Sequence, residues 1–182
     1  MTQFSIKNAL LFKEKINAIS NIVNESVFKF RKNDIEIYAI SPDNVIVIEL
    51  LIPRKNLSGY VYKPTKNIAL NLSCLKTILS RFKSIKGNLR MKIYGDKIEI
   101  LATDNKLKKT FCISIVPIKN NPGFPRFKPN VWWNVEGVVD GISKMYMWLN
   151  KGPLVIESIK DEFPLKWIIA PIIITKGKRT IR

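Results

Sequence analysis

The sequence predicts an α+β protein with largely antiparallel sheets and its helices gathered on one side. Three observations carry this. One pattern (a strand, an amphipathic helix, a hairpin, a further strand) is written three times at a spacing of about 60–65 residues. Helical periodicity and strand alternation follow each other in the same order in each copy. Hydrophobic residues make up 46% of the 182, enough for a buried core.

In the first copy, Phe4-Ser5-Ile6 reads as a strand and Asn8 as the cap of the helix that follows. Phe12, Ile16, Ile19 and Val23 share one helical face, and Lys13, Asn17, Ser20 and Asn24 share another. Residues 27–30 and 35–38 alternate around Lys32-Asn33-Asp34, which predicts a hairpin. The turn Ser41-Pro42-Asp43-Asn44 leads into an apolar strand over 45–52.

The second copy begins with a strand over 68–72, with Ser73 as helix cap. Leu75, Ile78, Leu79 and Phe82 form the apolar helical face; Lys76, Ser80 and Lys83 form a polar stripe with Arg81 beside it. A hairpin over 89–94 and 97–101 turns at Gly95-Asp96, and a strand over 110–116 follows. In the third copy a strand over 131–134 precedes a helix lined by Val135, Val138, Val139, Ile142, Tyr146 and Leu149. Asn150-Lys151-Gly152-Pro153 stops it. A hairpin over 154–159 and 165–169 and a strand over 172–175 close the chain.

Charge narrows the function. Lys and Arg number 31 against 14 Asp and Glu, a net +17. Such an excess repels itself unless a polyanion is the partner, nucleic acid first and an acidic membrane surface second. The Lys/Asn/Ile bias of the whole chain supports a plainer alternative, a merely soluble Lys-rich protein. Gathering the helices on one side brings together Lys13, Lys15, Lys76, Arg81 and Lys83, cations suited to phosphate contacts. A solvated helix face accounts for the same residues equally well.

Enzyme chemistry is disfavoured. The chain has no histidine, hence no Ser-His or Cys-His nucleophile and no imidazole metal ligand. No phosphate-cradling glycine motif is present, and the carboxylates are few and scattered. Neither metal nor cofactor is implied. Cys74 and Cys112 lack metal spacing, and their apolar neighbours predict two buried small side chains. No window approaches the roughly 18 apolar residues of a membrane span. Residues 1–8 lack a signal-peptide pattern, so an intracellular protein without membrane contact is expected.

Three stretches together resemble the proliferating cell nuclear antigen family of DNA sliding clamps. Residues 30–50, "FRKNDIEIYAISPDNVIVIEL", resemble its hairpin, its Ala-x-Asp-Pro-x-x-Val turn and the apolar strand after it. Residues 70–93, "LNLSCLKTILSRFKSIKGNLRMKI", resemble its second helix with a Leu-Lys-x-Ile-Leu-x-Arg core. Residues 163–174, "FPLKWIIAPIII", are similar to its terminal Leu-Ala-Pro strand.

The resemblance implies clamp-fold half-repeats with the helices on the DNA-facing side. It implies a complete domain over 1–118, a connector over 119–130, and a half-domain with a basic tail over 131–182. It further implies a processivity factor that binds double-stranded DNA nonspecifically and tethers a DNA polymerase, with a clamp loader as a further partner. Lys13, Lys76, Arg81 and Lys83 would touch phosphates. Ile40, Val45, Val47, Ala170 and Pro171 match positions around the client pocket, although core packing explains the apolar ones equally well. The chain departs from the pattern in having three half-units where the family has four. The missing unit carries the edge strand that pairs with the next subunit. A homo-oligomer in which half-domains complete one another is one outcome; a protein that modulates a full-length clamp, joining its ring or competing for its clients, is the alternative.

Overall fold

The structure, a computed structural model, describes residues 2–42, 46–62, 67–82, 88–104, 107–116, 118, 131–135, 154–158, 161–169, 172–175 and 178–181. The first repeat comprises β1 (Thr2–Ile6), α1 (Ala9–Ser20), β2 (Glu25–Phe30), β3 (Asp34–Ile40) and β4 (Ile46–Pro53). A single 3-10 turn (Arg54–Asn56) and the short β5 (Leu57–Ser58) follow. The second comprises β6 (Ile68–Asn71), α2 (Leu72–Ser80), β7 (Leu89–Tyr94), β8 (Lys97–Asp104) and β9 (Leu107–Ser114). The third contributes β10 (Val131–Val135), β11 (Leu154–Ser158), β12 (Leu165–Ile169) and β13 (Ile172–Thr175), and β14 (Lys178–Ile181) follows. The third helix expected from the sequence lies outside the described residues, as do Lys83, Val45, Ala170 and Pro171.

The first two repeats interlock by lending strands. β1 of the first repeat pairs antiparallel with β7 of the second, Phe4 opposite Met91. Reciprocally, β6 pairs antiparallel with β2, Leu70 opposite Ser26. The result is a five-stranded sheet, β5-β1-β7-β8-β9, and a larger one that begins β6-β2-β3-β4. Each repeat cannot bury its apolar side alone, and the exchange makes one core of two half-units.

Local chemistry sets the helix ends. Asn8 caps α1 by accepting from the Leu11 amide at 3.1 Å, as the sequence predicts. For α2 the cap is Asn71, accepting from the Cys74 amide at 2.8 Å, and not Ser73. The helix therefore starts two residues earlier than expected, because Asn is as good a cap and β6 ends on it. Both helices also stop early. Val23 and Phe82, read as helical-face residues, lie beyond α1 and α2, yet both are buried. Phe82 reaches the core edge-on to Phe111, centroids 5.6 Å apart.

One core joins all three repeats. Phe12, Ile16 and Ile19 of α1 and Leu75 and Leu79 of α2 pack with Phe4, Phe28, Leu50, Met91 and Ile100 from the sheets. Ile156, Phe163, Leu165 and Trp167 of the third repeat belong to the same cluster. Each such side chain contributes about 1.5–3 kcal/mol on leaving water. The third repeat docks through its hairpin: β12 runs antiparallel to β4, with Leu165 opposite Leu50 and Trp167 opposite Ile48. The larger sheet thus reads β10-β11-β12-β4-β3-β2-β6.

β4 and β9 are the closing strands of equivalent repeats, yet they end differently. The outer edge of β4 is covered by β12. Among the described residues no strand pairs with the outer edge of β9. β10 also breaks the pattern. It lies parallel to β11 of its own repeat, Trp132 opposite Val155, where the first two repeats receive an antiparallel strand from a partner repeat. β13 leaves the main sheets and pairs with β14, a strand that the periodicity did not foretell. Among the described residues no helix is long and apolar enough to cross a membrane.

Candidate functional site

α1 and α2 pack against each other with opposite polarity, and lysines mark the seam. Lys13, early in α1, donates its Nζ to the Phe82 carbonyl just past the end of α2, at 3.1 Å. Lys76, midway along α2, donates its Nζ to Oδ1 of Asn21, the residue that ends α1, at 2.9 Å. Each cation is thereby held at the negative end of the neighbouring helix. Arg81 is exposed at the end of α2, where its carbonyl accepts from Lys109 Nζ at 3.4 Å. Two of the five cations predicted for DNA, Lys13 and Lys76, thus fall on the seam, and Arg81 lies past the end of α2 on the side towards β9. Lys13 and Lys76 are half-buried, and Arg81 is free to reach outward.

Lys15 is a correction. It is one of the largest fully buried side chains, 0% exposed, and forms an ion pair with Asp161 in the turn between β11 and β12. A side chain committed to a buried carboxylate cannot meet a phosphate in solvent. Lys15 follows Lys13 by two positions, which on a helix places it on a different face. The helix face that does meet solvent is otherwise nearly neutral: Leu10, Glu14, Asn21, Ser73, Thr77 and Ser80 are all exposed.

Of the client-pocket candidates, the described Ile40 and Val47 fall on the outer side of the larger sheet. Ile40 stands opposite Val47, Val47 opposite Ile168, and Ile168 opposite Val155, one apolar row across four strands. Tyr38 completes this second, smaller cluster. Ile40 is half-buried and Val47 almost fully buried, so Val47 supports the row from beneath. Val155 and Ile168 were not singled out from sequence, since only the β4–β12 pairing brings them alongside. Burial, then Glu49 and Glu36, push the Tyr38 hydroxyl well above the usual phenol range, keeping it neutral.

A groove of about 760 Å³ runs between α2 and the uncovered edge of β9. Ile78, Phe111, Ile113 and Val116 give it an apolar floor, with Thr77 and Arg81 at its margin. Cys74 and Cys112 also line it. Both thiols are exposed, contrary to the expectation of two buried side chains. Each takes the outward phase of its element: α2 turns Leu75 and Leu79 inward, and β9 turns Ile113 inward.

A family model described as the N-terminal domain of proliferating cell nuclear antigen matches residues 1–116. DNA polymerase sliding clamp 1 of Thermococcus kodakarensis is 27% identical over 108 residues, 59% of this chain and 43% of that protein. The DNA polymerase sliding clamp of Methanococcus maripaludis is 33% identical over 103 residues, 55% of this chain and 36% of that protein. The match therefore takes in less than half the length of these relatives. Among solved structures, the fold is similar to PCNA from Thermococcus kodakaraensis, with a TM-score of 0.60 at 20% identity. That likeness covers 70% of this chain and 53% of the other. It is also similar to A. fulgidus PCNA with the C-terminal region of FEN-1 bound, at a TM-score of 0.59 and 18% identity. Through the model that matches its first two interlocked repeats, the chain belongs to the proliferating cell nuclear antigen family of sliding clamps.

Proposed function

We propose that the chain is a clamp-type scaffold that holds duplex DNA without regard to sequence and tethers a DNA polymerase or another replication protein to it. It catalyses nothing itself. The observation that carries this reading is the antiparallel α1–α2 pair, with Lys13 and Lys76 along its seam and Arg81 exposed at the end of α2. Cations on rigid helices meet phosphates without base-specific geometry. Lys83 belongs to the same stripe in sequence. Clients are received on the Ile40–Val47 row, and Val45, Ala170 and Pro171 belong to the same set by their match to the family sequence. The working unit divides into a domain over 1–118, a connector over 119–130 and a half-domain over 131–182.

The test is retention on DNA of defined topology. An encircling oligomer stays on nicked circular plasmid and runs off after linearisation. Equal retention on both forms that collapses with salt removes the encircling reading and leaves simple electrostatic binding.

A second reading has its own observation. Among the described residues the edge of β9 is uncovered while the equivalent edge of β4 carries β12. An unpaired edge with a groove beside it invites a strand from another chain. That chain is a second copy, or a full-length clamp whose ring this protein joins. Native mass measurement of the protein alone, and after mixing with a full-length clamp, separates the two.

A further inference from the structure

Among the described residues, much of the exposed positive charge lies away from the helices. On the five-stranded sheet, Leu89, Met91 and Ile93 of β7 and Ile98 and Ile100 of β8 face the core. The alternate positions therefore face solvent on the other side. They carry Arg90 and Lys92 on β7, Lys97 on β8 and, at the end of β9, the exposed Lys108. The register places Lys97 opposite Tyr94 and Lys92 opposite Glu99. Lys109, one position from Lys108 and so on the inner side, reaches the end of α2. The outer side is thus turned away from the helix seam.

Two comparisons within the molecule set this face apart. On the outer side of the larger sheet the cations are neutralised: Lys29 pairs with Glu36 at 3.6 Å, Arg31 also reaches Glu36, and Lys166 pairs with Glu49 at 3.6 Å. Among the described residues, no ion pair engages Arg90, Lys92, Lys97 or Lys108, although Glu99 stands in their midst. Lys92 Nζ lies instead 5.6 Å from the centre of the Tyr94 ring. Among the described residues, the solvent side of α1 and α2, in turn, offers one exposed cation, Arg81, against the exposed Glu14. Tyr94 is the one exposed large aromatic on the sheet face among the described residues. No apolar cluster accompanies it, so the face has little to insert into a lipid surface.

We propose that the outer face of the five-stranded sheet is a second binding surface, for the phosphodiester backbone of nucleic acid, outside the helix seam. Cations left unpaired on a flat, rigid face bind a polyanion by releasing its counterions, with no base contact needed. Tyr94, with Lys92 above its ring, presents an aromatic platform of the kind on which an unpaired base stacks. The inference goes beyond the clamp reading and does not depend on it. Such a face holds a strand running over the outside of the protein.

The test uses the full-length chain and fluorescently labelled 30-mer oligonucleotides, single-stranded and duplex, titrated at several salt concentrations. A quadruple variant, R90Q/K92Q/K97Q/K108Q, changes only exposed or half-exposed side chains. It should weaken binding roughly tenfold or more and flatten the plot of log K against log salt by about 3, as four lost phosphate contacts require. Loss for the single strand alone identifies an unpaired strand as the ligand, and loss for both identifies the backbone in either form. A second variant, K13Q/K76Q/R81Q, reports on the helix seam separately. If the quadruple variant binds both oligonucleotides like wild type, the proposal is wrong, whether or not the seam variant loses binding. Binding to anionic vesicles with no binding to either oligonucleotide overturns it as well.

Discussion

Lys15 of α1 and Asp161 of the turn between β11 and β12 form a buried ion pair that ties the third repeat to the first. Asp161 also accepts from the Phe163 amide at 3.2 Å, shaping the turn that sends Phe163 into the core. Neighbouring contacts reinforce the tie: Asn8 Nδ2 donates to Glu162 Oε2 at 3.0 Å, and Asn56 Nδ2 to the Glu162 carbonyl at 2.7 Å. Asp161→Ala should therefore destabilise the protein by about 3–5 kcal/mol, because it leaves a buried ammonium uncompensated. Lys15→Met in the same chain should recover much of that loss. Urea unfolding of the two variants measures both effects; equal stability of Asp161→Ala and wild type would refute the buried pair.

The cap of α2 is decided between two residues two positions apart. Asn71→Ala should cost about 1 kcal/mol, the usual worth of an N-cap. Ser73→Ala should change stability by less than about 0.5 kcal/mol, since Ser73 is exposed and caps nothing. Thermal unfolding of the two variants side by side checks the order; the reverse ranking would return the cap to Ser73.

Cys74 and Cys112 are both exposed beside the groove at β9. Both thiols should react with an aromatic disulfide reagent in the native protein, without denaturant. If the β9 edge pairs with another chain, Cys112 becomes protected as the oligomer forms, and labelling falls with rising protein concentration. Counting modified thiols by intact mass at several concentrations gives the answer. Labelling that appears only in denaturant contradicts the exposed placement.

The row Ile40–Val47–Ile168–Val155 yields a prediction about clients. Ile40 is half-buried at its solvent margin, so Ile40→Asp should be tolerated within about 1–2 kcal/mol. It should nevertheless abolish capture of a polymerase on immobilised protein, because a desolvated carboxylate faces the client. Undiminished capture by a folded Ile40→Asp variant removes this row from the client surface.

Much of the architecture is legible in the chain before any coordinates. The i, i+4, i+7 spacing of Phe12, Ile16 and Ile19 marks α1, and the alternation through β2, β3, β7 and β8 marks the hairpins. Asn8 is recognisable as a cap, and the excess of Lys and Arg is a plain count. These are local or additive properties, carried by period, propensity and charge count. The burial of Lys15, two positions from Lys13, was not legible. Both sit on one short helix, and a turn 146 residues away supplies the carboxylate that buries the second. Nor did spacing reveal that β12 covers the edge of β4 while β9 keeps a free edge. It did not distinguish the lysines of the larger sheet, paired with Glu36 and Glu49, from those of the smaller sheet. Pairing and burial are set between segments distant in sequence. The sequence by itself therefore determined the repeat, its elements and the excess of positive charge. Which of the described cations remain exposed was decided only by the tertiary structure.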